Sequence, residues 1–321
     1  MCRLIDDYPR TLAEFEARFV TEQACRDYLS RLRWPDGFRC RCGAAKAWQT
    51  ARGLWQCAGC GRQTSIIACT VFQDTRKPLR QWFRAMWWVT SQKTGTSALG
   101  LQRVLGLGSY ETAWAWLQKL RRAMVRPGRD RLSGRVEIDE SFVGGLGGAR
   151  GRSTAKKALI VVAVEQVGDG IGRIRMRRIP DASAESLEAF VTAAVAPGSV
   201  VHTDGWHGYN GLAAAGYRHQ ITLLRGHHEL ASKQLPRVHR IVSLLKRWLL
   251  GTHQGAVNAA HLDFYLDEFT FRFNRRTSRH RGQLFFRLAQ QAVAIGPAPY
   301  TSLVRHVRRH RKRLRQLQSR G

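Results

Sequence analysis

Two sets of residues in this chain could do chemistry: a quartet of cysteines, Cys40, Cys42, Cys57 and Cys60, and two aspartates, Asp139 and Asp204, at apolar runs. The cysteines lie in FRCRCGAAKAWQTARGLWQCAGCGRQTS, residues 38–65, as two pairs that are each followed by glycine and are separated by short aromatic segments. Thiolates in this layout hold Zn²⁺ tetrahedrally, and the metal replaces a core too small to form alone. The second pair has the usual two-residue spacing. The first is Cys-x-Cys, one residue short, so a distortion of its tight turn is expected. No histidine precedes His202, and so no local imidazole stands in for a lost thiolate. Seven cysteines with four of them clustered suit a metal site in a reducing compartment better than a disulfide framework. Two readings stand: a structural zinc ribbon, or a ribbon that has lost its metal.

The aspartates are informative because acids are scarce, 23 against 53 Lys and Arg. Asp139 lies inside the apolar strand pattern VEIDESF, where an isolated buried carboxylate is costly. Asp204 ends a second apolar run, and Gly205 allows a sharp turn after it. If those strands are neighbours, both carboxylates meet at one edge. Paired carboxylates with divalent Mg²⁺ or Mn²⁺ between them are machinery for in-line phosphoryl transfer. A capping or turn role explains either aspartate alone; the pair, with the strand order and the basic chain, reads as a site. Such sites need a third ligand from a nearby helix, and His239 in PRVHRIVSLLKRW is placed to supply it. Its neutral imidazole suits Mn²⁺ or Zn²⁺ better than Mg²⁺. Lys246 sits seven residues on, on the same helix face, where it and Arg247 could clamp a phosphate; a solvated helix face is the plainer reading of that stretch. Glu229, in GHHELASKQ, is the reserve third ligand. Glu140 should point to the opposite side of its strand from Asp139.

The surrounding elements set where these groups fall. Residues 11–33 carry a helical pattern that stops at WPDG, and PLRQWFRAMWWVTSQ opens with a helix-starting proline. In TSALGLQRVLGLGSYETAWAWLQKLRRAM, residues 96–124, two short periodic segments flank GLGS. This fits a helix-turn-helix offering Ser109–Arg122 to a DNA groove, or plain bundle packing. RPGRDRLSG, residues 126–134, is a turn-rich boundary. Beyond it come three strands (135–145, 157–166, 172–180), a helix from Ser183, a strand ending at Asp204 and later helices. That is the α/β order of a ribonuclease-H-like domain. The loop GGLGGARGRSTAKK lacks Walker A spacing and reads as a basic hairpin loop. The expected division is an N-terminal helical segment (1–36), a zinc ribbon (37–70), a helix-turn-helix-like domain (71–126), a catalytic domain (133–295) and a basic tail (296–321).

A formal net charge of +30 repels itself and calls for a polyanion, for which nucleic acid is the first candidate and an anionic membrane surface the rival. No run approaches the ~18 apolar residues of a spanning helix. The N-terminus has no apolar signal core, so the expected compartment is the cytoplasm. From Phe271 onward there are fourteen Lys and Arg and no acid, a polyanion-binding arm.

The ribbon pairs, VEIDESFVGG, HTDGWHGY, HRIVSLLKRWLLGTHQG and YLDEFTFRFNRR together resemble the DDE-type transposases of bacterial insertion sequences, in the group with a zinc-ribbon N-terminus and an ISXO-like catalytic domain. The resemblance implies a ribonuclease-H-like, metal-dependent recombinase. Such an enzyme cuts double-stranded DNA at an element's inverted-repeat ends and joins the 3′-OH to target DNA. It also implies a homo-oligomer in the synaptic complex and a place at the bacterial nucleoid. By motif position Asp139 and Asp204 are the first two catalytic acids. His239 fills the third slot, commonly Glu in DDE enzymes, and Lys246 is the basic residue seven later. Histidine there removes one negative charge and offers one nitrogen where two oxygens stood. Tyr265, Glu268, Arg272 and Asn274, on a later helix, are expected to pack on the site or touch DNA, although each taken singly reads as structural. The alternative is an inactive, transposase-derived DNA-binding protein or repressor, against which the two strand-end aspartates speak.

Overall fold

The computed structural model describes residues 7–126, 128–144, 157–222, 235–255 and 257–304. Apart from Gly144 and Lys157 the basic hairpin loop lies outside them, as do Glu229 and the tail from residue 305. The chain forms two compact units. One runs from the N-terminus to Arg126 and takes in Thr277–Arg305; the other is Pro127–Arg276.

The first unit opens with α1 (Leu12–Arg18) and α2 (Glu22–Arg33) rather than one helix. The break has a local cause. Thr11 and Thr21 each accept a hydrogen bond from the backbone N–H three residues on, so each starts a helix of its own. Strands β1 (Ala47–Gln49), β2 (Trp55–Cys57) and β3 (Gln63–Thr64) then form an antiparallel ribbon. Helices α3 (Leu79–Ser91), α4 (Ala98–Leu105) and α5 (Tyr110–Ala123) follow. α3 begins after Pro78 without a side-chain cap of its own, and the Glu22 carboxylate on α2 accepts from Leu79 N (2.8 Å) and Arg80 N (3.2 Å) instead. The last helix of this unit, α9 (Arg281–Ala294), belongs with it although the expected catalytic domain ran to residue 295. Its Phe285 ring lies 5.4 Å from Phe15, 5.6 Å from Phe83 and 6.1 Å from Tyr28, so the aromatic core of α1–α3 is completed from the far end of the chain.

The second unit is a five-stranded sheet with helices on both faces. Its elements are β4 (Arg135–Val143), β5 (Ala158–Val167), β6 (Gly170–Arg178), α6 (Ala184–Ala194), β7 (Val200–Thr203), β8 (Arg218–Ile221), α7 (Pro236–His253) and α8 (Leu262–Phe273). The strand order is β6-β5-β4-β7-β8. The first three strands form an antiparallel meander. β7 and β8 run parallel to β4, which requires the crossover that α6 supplies. Ser183 caps α6 by accepting from Ser186 N. β5 is apolar on both sides because both are covered: Ile160, Val162 and Val164 face α7 and α8, and Val161 and Ala163 face α6. Among the described residues no helix is long and apolar enough to cross a membrane.

Tyr265, Glu268, Arg272 and Asn274 on and after α8 do structural work. Glu268 is fully buried and holds Arg272 at 2.9 Å. Asn274 accepts from Ile174 N (2.8 Å) and donates to Ile174 O (3.1 Å), filling the ladder on the free edge of β6. Tyr265 is buried against His253 and Trp248.

Candidate active site and metal centre

The four cysteine sulfurs lie within 4.8 Å of one another, the one tight cluster of potential metal ligands among the described residues. Cys40 Sγ is 3.6 Å from Cys60 Sγ, and Cys42 Sγ is 3.6 Å from Cys57 Sγ. A tetrahedral Zn²⁺ with Zn–S near 2.3 Å sets sulfurs about 3.8 Å apart, so the donor set and its spacing fit. The short first pair does not prevent convergence. Gly43 N donates to Cys40 O (3.0 Å) and Cys40 N to Ala44 O (2.9 Å), closing a compact turn. At the second pair the Cys60 and Gly59 N–H groups favour the Cys57 thiolate and bring its pKa down to about 7. At Cys42 the Ala44 N–H favours the thiolate, but the three neighbouring sulfurs outweigh it and hold the group up at about 11. Four thiols this close cannot all ionise without a cation. A Cβ at Gly59 would crowd the turn, 3.0 Å from Ala44 Cβ. Trp34, Phe38 and Trp55 wall the cluster, with Phe38 and Trp55 stacked at 5.6 Å.

In the second unit, β4 and β7 bring the aspartates together. The parallel register pairs Val136 with Val201 and Glu137 with His202; continued by two residues, it sets Asp139 beside Asp204. Asp204 leaves the strand at its C-terminal end, accepts from Trp206 N (3.0 Å), and is followed by Gly205 at φ +86°, a conformation that favours glycine. Asp139 accepts from Glu140 N (2.8 Å). Burial, then the charges of Glu140 and Asp204, push the Asp139 carboxyl up to about 7. α7 covers this face of the sheet and places His239 Nε2 3.9 Å from Asp139 Oδ2. That is too long for a hydrogen bond and suits two ligands of one ion at about 2.1 Å each. Lys246 and Arg247 are exposed about two turns further along the same helix, ~10 Å from His239. The structure therefore places His239 beside Asp139, with Asp204 at the end of the neighbouring strand; the three do not close into a cluster as tight as the cysteines, and Lys246 lies further along the helix.

Strand alternation sends Glu140 to the opposite face, as expected, where it nears the buried Tyr209. Burial raises its pKa against the lowering influence of Tyr209, and Tyr209 is itself pushed well above its usual value by burial and the Glu140 charge. Glu140 Oε1 and the Tyr209 hydroxyl make no hydrogen bond among the described residues.

Two groups escaped the sequence reading. Glu137, two before Asp139 on the same strand face, binds Arg237, two before His239 on α7. The alternation of β4 was the available signal, since residues 137 and 139 must share a face; nothing local named Arg237 as the partner.

The helical pair α4–α5 turns at Gly106 (φ +60°), with Ser97 and Ser109 as N-caps. Contrary to the expectation for Ser109–Arg122 as a whole, most of α5 is interior. Trp116 stacks on Trp82 at 3.8 Å, Gln118 and Arg121 are buried, and burial lowers the Lys119 pKa. Its open part is the first turn, at Tyr110 and Glu111.

Comparison with known proteins agrees with this division. Residues 20–63 match the transposase zinc-ribbon domain, and residues 131–274 match the ISXO2-like transposase domain. The chain is also 29% identical over 282 residues to a Halobacterium salinarum protein described as an uncharacterised protein in transposable element ISH50; the match covers 79% of this chain and 91% of that one. With both domains matched in order and the relative aligned along most of the chain, the protein carries, in order, the zinc ribbon and the ISXO2-like domain of insertion-sequence transposases.

Proposed function

We propose that the protein cleaves DNA at the ends of an insertion sequence and joins the freed 3′-OH to target DNA, using divalent Mg²⁺ or Mn²⁺ held by Asp139, Asp204 and His239. One observation carries this reading. The three fully or nearly buried acids elsewhere, Glu137, Glu165 and Glu268, each hold an arginine at 2.8–2.9 Å. Asp139, Glu140 and Asp204 repel one another at one end of the sheet, and among the described residues none has Arg or Lys within 4.0 Å. In a chain with a +30 excess, three acids set together at one strand end without a basic partner support a site for a divalent cation.

Held by these residues, a divalent ion would supply activation of the attacking oxygen and stabilisation of the leaving one in an in-line displacement. Asp139 and Asp204 would contribute the carboxylates, and that positive charge would offset the burial that disfavours an ionised Asp139. Neutral His239 donates one nitrogen and no charge. Lys246 and Arg247, exposed on α7, hold the DNA backbone, and the attacking groups are water and then the 3′-OH, without a covalent protein intermediate. The strand order, a meander followed by two parallel strands, supports a ribonuclease-H-like fold for this unit. The first turn of α5 and the ribbon, which has no acid between Asp36 and Asp74, are the double-stranded DNA contacts of the first unit, in a helix-turn-helix-like arrangement. Joining two element ends calls for a homo-oligomer in the synaptic complex, at the bacterial nucleoid.

Cleavage and strand transfer on labelled element-end DNA, in Mg²⁺ and in Mn²⁺, test the reading. Metal-dependent joining should be present in the wild type and lost in Asp204→Asn and His239→Ala. Joining that survives His239→Ala would move the third ligand elsewhere, with Glu229 the next residue to replace. Tight end binding with no cleavage in either metal would refute the enzymatic reading.

A further inference from the structure

The start of α7 has no cap of its own. It opens on Pro236, and Leu235 at the N-cap position makes no side-chain hydrogen bond. Its free N–H groups are met from the sheet. One Glu137 oxygen accepts from Arg237 N (2.9 Å) and Val238 N (3.1 Å), and the other accepts from Arg237 Nη1 (2.8 Å). Arg237 is held in turn by the β5–β6 turn, donating from Nε to Gly170 O (3.2 Å) and from Nη2 to Asp169 O (3.3 Å). Glu137 is 2% exposed. A pair this dry adds little stability over well-packed apolar residues, because desolvation offsets its Coulomb gain. What it does provide is registration.

Glu137 precedes Asp139 by two residues on one strand face, and Arg237 precedes His239 by two residues in the first turn of α7. The bidentate contact therefore ties the strand bearing one metal ligand to the helix bearing another, immediately beside both. Partners behind a ligand set its orientation, and their loss is felt at the metal. We infer that Glu137 and Arg237 are positioning residues, a clamp that sets the His239 imidazole against the Asp139 carboxylate and so governs divalent-metal binding. The inference rests on the metal-dependent reading above. Arg237 cannot be replaced by lysine in this role, since three of its nitrogens and its backbone N–H act at once on Glu137, Gly170 and Asp169.

The test is Mn²⁺ binding to the full zinc-loaded chain, followed by electron paramagnetic resonance, beside single-turnover cleavage at saturating element-end DNA. Glu137→Gln keeps the shape and one acceptor oxygen but removes the charge, so it should remain folded, whereas Glu137→Ala would strip both carboxylate oxygens from Arg237 and the start of α7. Mn²⁺ affinity and the cleavage rate are expected to fall together by about 10–100-fold in Glu137→Gln. Arg237→Lys should do the same, and the double variant should lose no more than the worse single one. A lower melting temperature with wild-type Mn²⁺ affinity and rate would overturn the clamp and leave only a structural ion pair. Wild-type Mn²⁺ binding that is indifferent to Asp139→Asn would sink the metal site itself, and the clamp with it.

Discussion

Replacing Asp139 by asparagine should make the metal-free protein more stable at neutral pH while abolishing its response to divalent ions. The carboxyl stands at about 7 against an ordinary 3.8, raised by burial and by the charges of Glu140 and Asp204. A raised acid carries no penalty below its unfolded pKa. The penalty grows as pH climbs from about 4 to about 7, and is constant above that, because the folded state there must hold a charge it disfavours. At roughly 1.4 kcal/mol per unit, the ceiling is about 4 kcal/mol. Local relaxation and water entry reduce such penalties, so about half that, ~2 kcal/mol, is the working expectation. For a unit of this size it corresponds to a melting temperature about 4–8 °C higher for Asp139→Asn at pH 8. At pH 4 the two proteins should melt together. Asparagine keeps the oxygen that accepts the Glu140 N–H, so the comparison isolates the charge. Added Mn²⁺ should then reverse the order at pH 8, raising the wild type by mass action and leaving the variant unmoved. Calorimetry with and without Mn²⁺ between pH 4 and 8 reads all of this. A difference that is independent of pH, or a variant less stable than the wild type at pH 8, would refute the account of Asp139 as a carboxylate awaiting a cation.

Three further outcomes follow from the same geometry. The purified chain should carry one zinc by elemental analysis, and Cys57→Ser should lose it along with the near-ultraviolet signal of Trp34 and Trp55; full zinc content in the variant would break the assignment of the ribbon cluster. Gly282→Ala should destabilise the first unit by about 1–3 kcal/mol or more, because a Cβ there would lie 1.6 Å from the Pro9 carbonyl oxygen, and denaturant midpoints will show whether α9 is docked as described. Lys246→Ala should weaken binding to element-end and unrelated DNA alike and reduce the salt dependence of log K by about one, the mark of a phosphate contact; loss confined to one sequence would instead make Lys246 a base-reading residue.

The chemistry-bearing residues were legible because their types are rare and their local patterns are constrained. Cys40, Cys42, Cys57 and Cys60 announce a thiolate cluster by spacing, although Cys-x-Cys alone left open whether four sulfurs could converge. The Gly43 and Ala44 hydrogen bonds that close the turn decide that, and they depend on backbone conformation. Strand alternation separated Asp139 from Glu140 correctly, since a period of two holds whatever packs on the sheet. Helical period likewise put His239 and Lys246 on one face of α7. It could not say that His239 lies against Asp139 on the sheet while Lys246 stays exposed, because that depends on where the helix is pinned.

The same division explains the misjudged elements. The apolar pattern over residues 11–33 is continuous, and only the two capping threonines cut it into α1 and α2. The amphipathic pattern of α5 marks one buried face, yet Trp82 and its neighbours cover most of the others as well, leaving the first turn open. α9 follows the second unit in sequence but completes the aromatic core of the first, a partnership settled by the shape around Phe285 and not by any local signal. Sequence alone named the side chains whose chemistry suits metal or phosphate and the face of its own element on which each lies, because local periodicity and residue chemistry suffice for that. The tertiary structure decided which faces meet. The bond from Glu137 to Arg237, a hundred residues apart, sets the first turn of α7 against β4, and a contact so distant along the chain exists only once sheet and helix have packed.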